Sequence, residues 1–423
     1  MLLQSYDSAC LLLRFFANRT ICPFYFVISR LLNRNTFPFA IALIGTLLRC
    51  CWPADMEWKF DEQEMFRLAG EAWSQGLPLM GMPSGAGLPN AGFSIWPFAL
   101  LYGIHPTPLF MGMGVQWLNS LALWLMLYCA GRYEEPVRTR LYWGLAAYAV
   151  SVMPVLFARK IWAQDLLPIF VATLWWVYLN RQKLPLLFFG GVVCALAGQL
   201  HLSGFFYAGG WLLALLICKK INKKQGLLLV LGGLVGFLPG IPWLHAVLQH
   251  GGGISHWGNI LKMEFWLRML TDTPGFNIHY AAAGELSTFS AFPNGFYLGL
   301  ILGLGLMVCA VVATINAVKA IFTKSVLEND INFLLISGVF LPGVLITLSA
   351  IPVRSHYMIG ALPFCSIGMA VLLQKTTLKG LSILRLWVLL QLVFTLTFMV
   401  FVHRKQHLRG DYGSTYRSQT SPR

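Results

Sequence analysis

Residues 54–75 read ADMEWKFDEQEMFRLAGEAWSQ, and the rest of the chain is organised around them. The stretch leaves a strongly apolar run and opens a loop that reaches residue 106. That loop holds Asp55, Glu57, Asp61, Glu62, Glu64 and Glu71, six of the chain's 16 acidic residues. From Glu62 to Trp73 the apolar residues Met65, Phe66, Leu68, Ala69, Ala72 and Trp73 recur at steps of three and four, which predicts a helix. Gly76 and Pro78 then stop it. The pattern is that of an amphipathic helix lying on a membrane surface, with Asp61-Glu62 at its start. Carboxylates there have a structural use, because they cap the helix and complement its dipole. A tandem just outside an apolar span, in a chain that otherwise avoids negative charge, also suits a functional carboxylate.

Composition sets the class. The 423 residues are 57% hydrophobic and 11% charged, with a mean hydropathy of +0.65, which no soluble globular domain shows. A membrane span needs about 20 mainly apolar residues, and such runs recur along the chain. The fold class expected is all-α: a polytopic membrane protein with about eleven transmembrane helices and two long outer loops. A transmembrane β-barrel would instead show short alternating segments. The formal net charge is +15, but the cations sit in short loops on alternate sides of the spans, so nucleic acid is not an expected partner. The nine cysteines lie in or beside apolar runs without metal-type spacing, so neither a zinc site nor a disulfide framework is expected.

Residues 1–35 are apolar but broken by Arg14, Arg19, Arg30 and Arg34, and read as a cytoplasmic or interfacial segment. The membrane domain runs over 36–402. Its spans are expected at about 36–53, 107–130, 141–158, 161–179, a hairpin over 185–218 turning near His201, then 226–247, 296–318, 331–350, 356–373 and 380–402. Outer loops fall at 54–106 and 248–294. Residues 403–423 form an outer tail, expected to be mobile beyond Tyr416. With a cytoplasmic N-terminus, the cytoplasmic loops hold Arg132, Arg138, Arg140, Arg181, Lys183, Lys219, Lys220, Lys223, Lys224, Lys319, Lys324, Lys375 and Lys379. The outer loops hold fewer cations, in keeping with the positive-inside rule, and the C-terminus lies outside. The expected location is a bacterial inner membrane.

Four groups could carry chemistry. Asp61 and Glu62, held just above the hydrocarbon, suit a general base acting on a hydroxyl or amine. In FARKIWAQDLLPIF, residues 157–170, Arg159 and Lys160 suit a phosphate, although snorkelling to lipid headgroups explains them nearly as well. Asp165, about one turn inside a span, is either functional or paired with one of those two cations. His201 sits at a hairpin turn, where a histidine is more often a hydrogen-bonded packing residue. Arg354, His356 and Tyr357 open the 356–373 span and suit a second phosphate or sugar contact, or an interfacial aromatic belt. His245, His250, His256 and His279 fit no ligand pattern, so no metal or other cofactor is expected.

In chain order these pieces resemble the GT-C superfamily of membrane glycosyltransferases. They are most similar to the branch that contains protein O-mannosyltransferases and the aminoarabinose transferase that modifies lipid A, a glycosyltransferase family 39-like pattern. The resemblance rests on Asp61-Glu62 with the following helix and the stretch LPNAGFSIWPFALLYGI, on Arg159 with Asp165, and on Arg354-Ser355-His356-Tyr357 with Pro363. It covers about residues 36–400. It implies transfer of a sugar from a polyprenyl-phosphate-linked donor, with inversion, to a lipid, glycan or protein acceptor of the cell envelope. No large soluble domain follows the last span, which leaves the acceptor open. Asp61 is then the expected base, with Glu62 orienting it or the acceptor, and Arg159, Lys160 and Arg354 the expected phosphate ligands. A glycolipid transporter or flippase, or a non-catalytic subunit of an envelope glycan assembly complex, would share the spans and cations. A transporter would more often carry charge at span centres and two related halves.

Overall fold

Pro38 in the first turn and the apolar run FPFAIALIGTLLRC make the Phe37–Cys50 helix, whose end is fixed by a buried arginine. Arg49 is fully buried, and its Nη1 donates to the carbonyls of Gly45 at 2.9 Å and Ala149 at 3.0 Å. The computed structural model describes residues 36–84, 87–250, 259–282, 285, 288–289, 330–376 and 380–420. Residues 1–35, the span expected at 296–318, His256, Lys319, Lys324 and Lys379 lie outside the described residues.

The chain is an all-α polytopic membrane protein. Among the described residues, four helices are long and apolar enough to cross a membrane: Pro108–Gly131, Lys223–Gln249, Asp330–Leu348 and Leu381–Lys405. Shorter apolar helices of 10–17 residues include Phe37–Cys50, Leu184–Leu200 and Leu202–Ile217. The last two meet at His201, where the hairpin turn was expected. The span expected at 141–158 is two helices, Val137–Val150 and Val152–Phe157, parted by the extended backbone of Ser151. The span expected from 161 begins instead with a 3-10 turn, Ala163–Leu166, before the Leu167–Leu179 helix.

The 54–106 loop contains the helix foreseen there, Phe60–Gln75, and a short second one, Trp96–Ile104. Met65, Ala69 and Ala72 are buried, while Phe60 and Trp73 stay exposed. Between the helices, Met80–Pro83 pairs antiparallel with Pro89–Ala91. Nothing in MGMP or PNA alternates in the manner of a strand, so periodicity gave no sign of this hairpin.

Through Tyr416 the C-terminal segment is a strap docked on the loop after the first helix, and beyond it, where mobility was expected, Gln419 still donates to Trp58 O at 2.6 Å. The Trp58 amide donates to Ser414 O at 3.1 Å and the Tyr416 amide to Met56 O at 3.0 Å. Glu57 bridges Thr415, and the Tyr412 hydroxyl donates to Asp55 O. His403 Nδ1 lies 2.6 Å from Asp55 Oδ2, and its ring stacks on Trp52 at 4.4 Å. The strap and the acidic loop therefore share one end of the bundle. At another place Tyr178 donates to Asp330 at 2.5 Å, Lys220 lies 3.5 Å from the same carboxylate, and Arg181 covers the Tyr178 ring.

Candidate active site

Local structure brings the chemistry-bearing residues together. Ser151 interrupts the helix that precedes FARK, and the chain then turns through Arg159-Lys160 into the 3-10 turn carrying Asp165. That turn faces the segment between Cys51 and Glu62.

Lys160 is at the centre. It is 1% exposed, ion-pairs with Glu57, and holds its ammonium 4.2 Å from the Trp162 ring centroid. Glu57 is equally buried and has a second cation, Lys59, at 2.5 Å. Lys59 reaches Asp411 of the strap at 3.1 Å, and Lys160 lies 3.9 Å from the same Asp411 Oδ2. Two lysines and two carboxylates thus form one partly buried cluster.

Glu62 is buried beside it. Its Oε2 accepts the Lys59 backbone amide at 3.2 Å and so caps the Phe60–Gln75 helix, while Oε1 has no hydrogen-bond partner. Burial, then the neighbouring Glu57 charge, push the Glu62 carboxyl up to about 8, against the pull of Lys160. Glu62 therefore holds a proton at neutral pH. Burial also raises Glu57, opposed by Lys160 and Lys59. Asp165 is fully buried and both carboxylate oxygens lack hydrogen-bond partners, so the simple pairing with Arg159 or Lys160 is not what the structure shows. Asp61 is half-buried in the first helical turn. No hydrogen bond or ion pair holds its carboxylate among the described residues.

Arg159 is placed differently from expectation. Its guanidinium donates to the carbonyls of Cys51 at 2.6 Å and Trp52 at 2.7 Å, with Arg49 O at 3.4 Å. It closes the end of the Phe37–Cys50 helix through these backbone carbonyls.

Aromatic contacts extend the site from Lys160. Trp162 meets His356 edge-on at 5.6 Å, His356 lies 5.9 Å from His201, and His201 lies 5.5 Å from Tyr357. His201 accepts the Ser203 amide through Nδ1 at 3.2 Å and caps the Leu202–Ile217 helix, so it has a structural task. His356 Nδ1 is buried without a hydrogen-bond partner. Arg354 is exposed at the rim. Next to it Arg268 donates to Ser355 Oγ at 2.8 Å, and Asn277 donates to the same oxygen at 2.6 Å. Asp272, buried on the same segment, is pushed up to about 7 by desolvation against the pull of Arg268.

Sequence reading missed Glu57, Lys59 and Asp411. Glu57 and Lys59 are ordinary charges of an acidic loop, and Asp411 lies in a polar stretch that looked unattached. Among the described residues no group of three or more His, Cys, Asp or Glu could hold a metal ion.

Fold and site together describe a multi-helix membrane protein with a partly buried cluster of cations and carboxylates where a loop, a helix break and a strap meet. In a comparison with solved structures, the crystal structure of ArnT from Cupriavidus metallidurans bound to undecaprenyl phosphate matches with a TM-score of 0.47 and 12% identity, over 86% of this chain and 62% of that one. The chain thus spans less than two thirds of that protein's length. No family model and no curated protein matches.

Proposed function

We propose that the chain is a GT-C type glycosyltransferase. It takes a sugar from a polyprenyl-phosphate-linked donor and passes it, with inversion, to a lipid, glycan or protein acceptor on the outer face of the membrane. One observation carries the reading: a buried ammonium, Lys160, shared between carboxylates and walled by aromatic rings, in a turn that faces the loop whose helix opens with the half-buried Asp61. A lipid-phosphate leaving group gathers negative charge as the glycosidic bond breaks, and a cation fixed in a low-dielectric site stabilises that charge strongly. The acceptor must lose a proton, and Asp61 is the carboxylate able to take it. Glu62, protonated at neutral pH, donates a hydrogen bond to the sugar or acceptor and spares the phosphate a repelling charge. The loop covers the cluster and limits hydrolysis by water. Arg354, His356 and Tyr357 supply the far wall, where the sugar or acceptor sits. Arg159 is not among the phosphate ligands.

Purified protein supplied with a polyprenyl-phosphate sugar and envelope acceptors tests the reading. Wild type transfers sugar. Asp61→Asn, which keeps size and polarity, lowers the rate about 10²- to 10⁴-fold, the usual contribution of a general base, and leaves donor binding intact. A transporter or non-catalytic subunit gives no transfer at all. Transfer by Asp61→Asn at the wild-type rate removes Asp61 as base.

A further inference from the structure

We infer that Asp411 is an internal stand-in for the donor phosphate: its carboxylate occupies the anion site formed by Lys59 and Lys160, and the strap withdraws from them when a phosphate anion binds. The inference rests on the reading of Lys160 as the phosphate cation.

Geometry supplies the first argument. Asp411 Oδ2 lies 3.1 Å from Lys59 Nζ and 3.9 Å from Lys160 Nζ. Lys160 is almost wholly buried, whereas the Asp411 side chain is about a third exposed at 33%. Asp411 Oδ2 is itself buried against the lysines, and the exposed third of the side chain is the edge from which an anion out of solvent would compete with it. Carboxylate and phosphate oxygens use the same charge-assisted contacts to ammonium groups, so one can replace the other.

Charge supplies the second. With Glu62 protonated, the close cluster holds two cations, Lys59 and Lys160, and two anions, Glu57 and Asp411. The Glu57 carboxylate is fully buried between both lysines. Of the two carboxylates, Asp411 is the one that can leave. Its departure leaves a net positive site, which is what a phosphate monoester or diester requires.

Attachment supplies the third. The strap beyond residue 413 is held by contacts independent of the Asp411 carboxylate: Ser414 to Trp58 and Tyr416 to Met56. A short outward swing of residues 409–413 can release the lysines while the anchors at 414–416 hold.

The test uses the purified full chain in detergent micelles, with undecaprenyl phosphate as the lipid probe and inorganic phosphate as the water-soluble one. Calorimetry gives Kd for wild type, Asp411→Asn, Lys160→Met and the double variant. If the carboxylate occupies the site about nine-tenths of the time, its removal tightens binding roughly tenfold. Lys160→Met weakens binding in both backgrounds. A gain with both probes identifies the phosphate group itself as the competitor, and a gain with undecaprenyl phosphate alone identifies the lipid-linked form; either supports displacement. Hydrogen exchange on wild type gives a readout independent of any substitution. Undecaprenyl phosphate should speed exchange at the Tyr412 amide, which bonds Ala281 O at 3.1 Å. A purely structural strap predicts unchanged or slower exchange there, with Asp411→Asn binding no tighter than wild type. That result, together with Lys160-dependent binding, overturns the inference and leaves the phosphate site standing. Binding that ignores Lys160 overturns both.

Discussion

Glu62 shows how one carboxyl can serve structure and chemistry at once. One oxygen caps a helix, and the other is buried without a hydrogen-bond partner. Its folded value of about 8 stands above the ordinary 4.5, so the folded chain holds the proton more tightly than the unfolded one. The stabilisation from this group is full below 4.5 and is lost as pH rises towards 8. Glu62→Gln keeps the cap acceptor and cannot ionise. Its melting temperature in micelles should match wild type near pH 5 and exceed it at pH 8.5, by roughly 2–4 °C for each kcal/mol of relieved charge burial. Parallel melting curves at both pH values would show that Glu62 is not buried as a neutral acid. Arg159 makes the opposite case, a suspected ligand that acts on backbone. Arg159→Lys loses the two-point contact to Cys51 and Trp52. It should cost about 1.5–3 kcal/mol of stability, read as a lower melting temperature, with little change in Kd for undecaprenyl phosphate. A large loss of affinity without loss of stability would return Arg159 to the phosphate. Asp61-Glu62, Lys160 and Asp165 were legible in the sequence because charge beside or inside apolar runs is conspicuous. Glu57 and Asp411 were not, because their meaning comes from a lysine far along the chain, and pairing of that kind leaves no local pattern.

The helices themselves were legible where apolar runs are uninterrupted and ended by proline or charge, as with Pro108–Gly131 and Leu184–Leu200. Breaks were not. Ser151 parts a run that reads as one span: Pro154, three residues on, has no amide to give the Val150 carbonyl, which accepts from Thr395 Oγ1 at 2.6 Å instead, a contact only the fold brings about. Helix packing was equally hidden. The Lys223–Phe237 helix approaches Leu184–Leu200 through Gly232 and Gly236, the small-residue contact by which membrane helices come close without a hydrophobic driving force. A methyl group on Gly232 would collide with the Phe188 carbonyl oxygen, whereas one on Gly233 would meet only Gly191 O at 3.9 Å. The two positions are neighbours, so they form a matched pair. Gly232→Ala should lower the stability of the purified protein by about 1–3 kcal/mol through overpacking, and Gly233→Ala should leave it nearly unchanged. Equal effects at both sites would mean that helix propensity, not close approach, governs this contact.

At the scale of the molecule, the decisive fact is which parts share an end. Hydrogen bonds tie the strap to Asp55–Trp58, and ion pairs tie both to Lys160. Tyr416 must therefore lie on the same side of the membrane as the cluster. The Leu202–Ile217 helix starts at His201, beside His356 and Tyr357 of the site, and runs away from it to Lys219 and Lys220. Residues 219–224 accordingly belong to the other end, where Lys220 and Arg181 gather near Asp330. Cations concentrate on the cytoplasmic side of membrane proteins, so the proposed outward-facing site expects residues 219–224 inside. A reporter active only outside the cytoplasm should then work when fused after Thr420 and stay silent when inserted within 219–224. Both silent or both active would contradict the separation of the two ends. The reverse pattern would keep the fold but turn the site inward, and the proposed transfer on the outer face would fall with it. A parallel check needs no fusion. A membrane-impermeant amine reagent applied to intact cells should reach Lys405, which is about a third exposed at 32%, before it reaches Lys223 or Lys224. Labelling in the opposite order would point to the same inversion by a route that leaves the strap untouched.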